Sequence, residues 1–330
     1  MKFAISGGEN FMIDIALLGC GGGMPMPHRF LSSLLIKYKG RKILIDCGEG
    51  TQVSMRMLKW GFKSIDIICL THSHGDHIFG LPGLLSTIGN SGRVDSITII
   101  GPKDIGEIFD ASKAIIPHLP YDIKVIKNPE NSLMVNVTSE GMKVENLVDR
   151  DCIGKDMIIS TLKLNHSSPC IGYSLYIPRR PKFHVEKATL NQVPKELWGR
   201  LQDGQRIIHM DRIYSPSMVL GEKRKGIKLS YITDTRPTDD IPSFIKESDL
   251  FICEGTYGDD RDLEKAIKNK HMTFAEAAKL AYKGNVRELL LTHFSPSMDE
   301  PDAYEKNAQN IFKNTIIGYD RFVKTLSFID

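Results

Sequence analysis

No stretch of this 330-residue chain approaches the roughly 18 uninterrupted apolar residues that a membrane-spanning helix needs. A helical membrane protein is therefore excluded. The first eleven residues, MKFAISGGENF, lack the apolar stretch and small-residue cleavage pattern of a secretory signal. They read as a short leader before the first strand, either an upstream start or a remnant foreign to the native protein. There is no CxxC pair among the six cysteines (Cys20, Cys47, Cys69, Cys152, Cys170 and Cys253). That removes a zinc ribbon or a dithiol redox centre, and a disulfide framework is not expected in a chain of this size without an export signal. Cys20, Cys47, Cys69 and Cys253 sit in or beside apolar runs and read as core. The expectation is a soluble, cytoplasmic protein.

The chain also lacks a strong net charge, at +3, but the balance is uneven. Residues 178–228 hold twelve Lys and Arg against five Asp and Glu, so this stretch carries the positive surplus. It is either a solvated loop or an element that binds a polyanion. At 41% hydrophobic, the chain can bury a full core. Short apolar or alternating runs at 13–18, 32–37, 42–46 and 65–71 predict strands, each ending in a glycine-rich or polar turn. TQVSMRMLKWG predicts a helix closed by Gly61, and IFGLPGLLSTIG a second one. Thr273 and Glu276 predict a capping box for a helix that stops at Gly284. The mixture points to a layered α/β or α+β domain. Two pairs of segments echo each other: ICLTHSH (68–74) with LLLTHFS (289–295), and ILIDCGEG (43–50) with LSYITDTRP (229–237). The echo suggests two related halves.

The densest chemistry lies in LTHSHGDH, residues 70–77. His72 and His74 alternate at strand spacing and can point the same way. Gly75 allows the tight turn that returns Asp76 and His77 to the same volume. Imidazole and carboxylate suit Zn²⁺, Mn²⁺ or Fe²⁺, and burying them without a cation would strand polar atoms. Four such ligands exceed what one open catalytic ion takes from a single loop. His166, Asp234 and His293, each at an apolar strand end or turn, are further candidates. Together they would complete a two-metal site, with a carboxylate bridging ions about 3.5–4 Å apart. That chemistry is hydrolysis.

HxHxDH followed by a later His, Asp and His resembles the metallo-β-lactamase superfamily. Longer pieces resemble its ribonuclease Z branch, the endonucleases that trim the 3′ end of precursor tRNA. These are LLGCGGGMPMPHR (17–29), LIDCGEGTQ (44–52), LTHSHGDHIFGLPGLL (70–85), NHSSPCIGYSL (165–175), TDTRP (233–237), CEGTY (253–257), HMTFAEA (271–277) and LTHFS (291–295). They run in family order over nearly the whole chain from Ile13. The resemblance implies a four-layer αββα fold over residues 12–330, with 178–228 an inserted basic arm that grips RNA. It implies two zinc ions per chain: one on His72, His74 and His166, the other on Asp76, His77 and His293, bridged by Asp234. Asp76 would also orient the nucleophile. Glu254 and His271 match an acid–imidazole pair that assists the leaving oxygen, although His271 could instead be a structural partner at a helix N-terminus. A homodimer is implied as well. The sequence departs from the family pattern at Phe30, where asparagine is common, at Pro296 and Ser297, where an arginine often follows, and in the arm, which lacks a Gly- and Pro-rich tip. The alternative is a hydrolase of the same fold acting on a small phosphodiester or sulfate ester.

Overall fold

The computed structural model describes residues 12–116, 118–147 and 155–329. The leader expected over residues 1–11, and Cys152, lie outside the described residues. In chain order the strands begin with β1 (Met12–Gly19), β2 (Ser33–Tyr38), β3 (Arg41–Ile45), β4 (Ile65–Cys69), β5 (Ile97–Gly101) and β6 (Ile123–Lys127). Next come β7 (Leu133–Val137), β8 (Met142–Asn146), β9 (Met157–Lys163), β10 (Ile171–Arg179), β11 (Ile207–His209) and β12 (Arg212–Tyr214). Last are β13 (Arg224–Ile232), β14 (Leu250–Glu254), β15 (Leu289–Thr292), β16 (Thr315–Ile317) and β17 (Phe322–Ser327). One sheet has the order β17-β1-β2-β3-β4-β5-β6, the other β16-β15-β14-β13-β10-β9-β7-β8.

Alternation along the strands sorts side chains into layers. Ile13, Ile15 and Leu17 of β1 join a core shared with Tyr173, Leu175, Leu229 and Tyr231 of the opposite sheet. Ala16 and Leu18, on the other face, pack with Leu84, Leu85 and Ile88 of the helix Leu81–Asn90. Beyond the second sheet lies the helix Phe274–Lys283, whose Phe274, Ala277, Ala278 and Ala281 are buried. The result is helix, sheet, sheet, helix. The capping box on this last helix forms as the sequence predicts, with Thr273 Oγ1 accepting the Glu276 N–H. The first helix, Thr51–Leu58, ends earlier than Gly61, because Lys59 already takes the left-handed conformation.

Both sheets repeat one pairing pattern. Strands β1 to β6 pair antiparallel twice and then parallel three times. The series β9, β10, β13, β14, β15, β16 does the same. The two halves inferred from sequence are thus visible in the topology, but only one echo is in register. Asp46 after β3 and Asp234 after β13 occupy equivalent strands. LTHSH follows β4 and LTHFS follows β15, so those two segments are not equivalents. The strand equivalent to β4 is β14, which ends at Glu254.

The basic segment begins at the end of β10 and runs into the start of β13, with residues 180–223 inserted between the two strands. It folds as short helices (Val185–Leu190 and Trp198–Gln202) and the β11–β12 hairpin. Ala188, Val193, Leu197, Leu201, Ile207, Tyr214, Val219 and Leu220 give it a small core of its own.

Candidate metal centre

Strand ends converge on one edge of the sandwich. His72 follows β4, Asp234 follows β13, Glu254 ends β14 and His293 follows β15. His74, Asp76 and His77 come from the turn and the short helix Gly75–Ile78, and His166 from the β9–β10 loop. All seven residues expected from the sequence as ligands meet here. Donor atoms of His72, His74 and His166 lie within 4.8 Å of one another, as do those of Asp76, His77 and His293. Asp234 stands between the two groups. Its Oδ1 is 3.9 Å from Nε2 of both His72 and His166, and its Oδ2 is 3.2 Å from His77 Nε2 and 3.3 Å from His293 Nε2.

Which nitrogen each histidine offers follows from what its other nitrogen does. His77 Nδ1–H donates to Asp46 Oδ2 at 2.8 Å. Thr71 Oγ1 donates to the same carboxylate, which leaves it to accept His72 Nδ1–H at 3.1 Å. Thr256 Oγ1 donates to Glu254 Oε2 and faces His293 Nδ1 at 3.1 Å. His166 Nδ1–H points to the Lys270 carbonyl at 3.3 Å. Four imidazoles thereby turn Nε2 inward. His74 faces the centre with Nδ1, 3.2 Å from His166 Nε2.

Donors arranged this way fit divalent ions. His72 Nε2 is buried and has no hydrogen-bond partner among the described residues, a costly state without a cation. The Nε2 atoms of His77 and His293 face each other at 3.2 Å. Nitrogen and carboxylate oxygen are the donors that zinc, manganese and iron take.

The charges agree. Burial holds His72 well below the usual imidazole range, with His77 beside it adding to the effect, so it is a neutral donor. Burial alone would favour a protonated Asp234, but the His293 and His77 imidazoles hold it well below the carboxylate range. Asp76 behaves likewise: burial opposes its charge, and hydrogen bonds from His293 and His77 prevail. His271 Nδ1 lies 3.2 Å from Glu254 Oε2. Burial disfavours the His271 cation, yet the Glu254 carboxylate and then Asp234 raise its pKa to about 9. His271 also falls within 4.8 Å of Asp234 and His293 as a third donor.

Several residues that shape the centre were not singled out in the sequence. Asp46 is fully buried and holds His77. Its signal was present: a carboxylate closing an apolar strand, in the segment that echoes the one ending at Asp234. Asp46 (φ 59), Asp234 (φ 50) and His293 (φ 59) are all left-handed, which costs energy and clusters at functional sites. Gly22 has no freedom to carry a side chain, since a Cβ there would lie 2.4 Å from the His293 ring. Gly23 N–H donates to Asp76 Oδ2 at 2.6 Å. The departures find local partners too. Phe30 packs over Gly50, where a Cβ would meet its ring at 2.4 Å. Arg29 binds the carbonyls of Ser295, Met298 and Asp299, so it ties down the loop containing Pro296 and Ser297.

Comparison with known proteins fixes the relationship. The chain is 59% identical over 317 residues to the ribonuclease Z of Alkaliphilus oremlandii, covering 96% of this chain and 99% of that one. It is 57% identical to the ribonuclease Z of Clostridioides difficile, with the same coverage of each. The chain belongs to the ribonuclease Z family. Residues 13–108 also match the family model of the anti-Pycsar protein Apyc1. Among solved structures, the short form of human tRNase Z superposes with a TM-score of 0.64 at 24% identity, covering 94% of this chain and 98% of that one. The metallo-β-lactamase fold protein YhfI from Bacillus subtilis gives 0.65 at 20% identity, with 96% and 100% covered. These structural likenesses bear on the fold, which is the αββα metallo-β-lactamase sandwich expected for the ribonuclease Z family. No helix among the described residues is long and apolar enough to cross a membrane.

Proposed function

We propose that the chain is a metal-dependent endoribonuclease that removes the 3′ trailer from precursor tRNA, acting in the cytoplasm as a homodimer. The observation that carries the reading is Asp234, whose two oxygens face two separate donor groups in a chain of this family. His72, His74 and His166 would hold one ion, Asp76, His77 and His293 another, with Asp234 shared. Zinc suits the nitrogen-rich donor set best, and Mn²⁺ or Fe²⁺ could also be accepted. When bound, such ions make water acidic enough to attack near neutral pH and offset phosphate charge.

The protein's own groups do the rest. Asp76 keeps its charge and is fixed by the Gly23 N–H, so it can orient the attacking water. Glu254 occupies His271 Nδ1 and leaves Nε2 to donate. A proton held at His271 up to about pH 9 is available to the departing 3′-oxygen. The inserted arm, residues 178–228, supplies lysine and arginine for phosphate contacts that position RNA without reading its sequence.

The test is direct. Metal-replete protein incubated with a precursor tRNA should cut once, at the junction with the trailer. Hydrolysis of a small phosphodiester or sulfate ester without cleavage of any precursor would replace this reading with the small-substrate alternative.

A further inference from the structure

A groove of about 440 Å³ opens beside the centre, and His166 forms part of its wall. Its polar lining includes Lys103, Asn128, Lys163, Asn165 and Ser168, and no carboxylate among the described residues lines it. Lys103 lies just past β5, and Lys163 is the last residue of β9. Both are exposed, and neither has a carboxylate partner among the described residues. Asn128, in the left-handed conformation at φ 42, bonds through its N–H to the Gly101 carbonyl at 2.7 Å. That bond draws the loop after β6 against the loop carrying Lys103. Ser168 Oγ is buried and has no hydrogen-bond partner among the described residues.

Two unpaired ammonium groups, amide and hydroxyl donors and no competing carboxylate make an environment for phosphate. The groove's size suits a small ligand, on the scale of about one nucleotide. An RNA duplex would not enter it. In a precursor tRNA the acceptor stem is paired, and the longer unpaired stretch beside the cut is the trailer. We infer that this groove is a trailer subsite, which takes the second single-stranded nucleotide beyond the cut, with Lys103 and Lys163 on the phosphates at either side of it. The inference rests on the tRNA-processing reading and adds to it a grip separate from the arm.

The experiment compares two precursors, with trailers of one and of six nucleotides, in binding to full-length protein. Both chains compared carry Asp76→Ala so that the RNA stays intact, and one also carries Lys103→Ala and Lys163→Ala. On the six-nucleotide trailer the added substitutions should weaken binding on the order of tenfold at low salt. They should also make the plot of log affinity against log salt shallower by about 1.4, two single-strand phosphate contacts at roughly 0.7 each. On the one-nucleotide trailer the effect should be much smaller. Equal losses on both trailers, or no loss on either, would overturn the assignment. Lys59→Ala with Lys63→Ala removes the same charge elsewhere on the surface. If that pair reproduces the trailer-length effect, net charge is the cause and the subsite is wrong. Failure of the tRNA reading itself would appear separately, as parent protein that cuts no precursor.

Discussion

Replacing Asp46 by Asn tests whether the orientation of one buried imidazole sets the affinity of the centre. Asn tolerates the left-handed backbone at φ 59 and nearly matches Asp in volume, so packing is conserved. Its amide oxygen can keep the Thr71 N–H, now bonded to Asp46 Oδ1 at 2.8 Å. The other position becomes an NH₂ group, 2.8 Å from His77 Nδ1. Two donors cannot share that bond, so His77 must accept at Nδ1 and move its proton to Nε2. That is the nitrogen facing Asp234 and His293, and a protonated Nε2 cannot bind a metal. Loss of an outer partner of a ligating histidine costs about 10–100-fold in metal affinity, or roughly 1.4–2.7 kcal/mol. Competition against a zinc chelator measures that difference, and the ring ¹⁵N shifts of His77 report the tautomer. An Asp46→Asn chain that holds zinc as tightly as the parent would refute the argument. So would a weakened one in which the proton stays on Nδ1, because the loss would then have another cause.

Elemental analysis of metal-replete protein should find about two transition-metal ions per chain; one or fewer would remove the dinuclear reading. Chelation should abolish cleavage while far-ultraviolet circular dichroism persists, because the two large cores are built from apolar residues away from the centre. His271→Ala should keep both ions and slow cleavage by about 10²–10⁴-fold. The parent should lose rate as pH rises through the His271 pKa, at or below about 9, since only the protonated ring donates and cations at Asp234 would draw its pKa down. That alkaline limb should vanish in the variant; loss of a metal instead would make His271 a ligand. Exchanging residues 181–222, from the part of the basic segment outside β10 and β13, for a short Gly/Ser linker should remove precursor-tRNA cleavage and flatten the salt dependence of binding, while a small chromogenic phosphodiester is still hydrolysed. Retained affinity for precursor tRNA would make the arm only a solvated loop.

The strands were readable because burial on both faces writes a short, continuous apolar run, as in Leu289–Leu291 of β15. The inward donors were readable for a related reason: a polar side chain that closes such a run has few explanations besides a site. His72, Asp234 and His293 all carry that mark. What lay below the sequence signal was direction. Thr71, Thr256 and Lys270 hold imidazoles through a hydroxyl or a backbone carbonyl, and nothing in a residue's identity announces those bonds. The arm's own small core was hidden for a different reason. Its elements run only three to six residues, too short for any periodicity to show, yet their apolar side chains meet in three dimensions.

The repeated sheet pattern explains why chemistry collects at this one edge. In each half an antiparallel strand pair leads into parallel strands, and parallel strands deliver their C-terminal ends to the same side. Asp46 and Asp234 sit at equivalent turns with nearly the same backbone conformation. Their roles nevertheless differ, and burial with partners accounts for the difference. Asp46 spends its oxygens on Thr71 and His77 and reaches the centre only through them. The Asp234 carboxylate meets one neighbouring hydroxyl, Thr233, and otherwise faces imidazole nitrogens. One half thus contributes a support and the other a ligand from the same position in the fold. Exchanging the two environments, by removing the Thr71 hydroxyl with Thr71→Val, should therefore not turn Asp46 into a ligand. Its backbone turn points the carboxylate at His77 Nδ1, on the far side of the ring from the centre. Metal stoichiometry in Thr71→Val should stay at the parent value while affinity falls, because His72 loses the acceptor of its Nδ1–H. A gain of a third ion in that variant would show that the hydroxyl, and not the turn, keeps Asp46 out of the donor set.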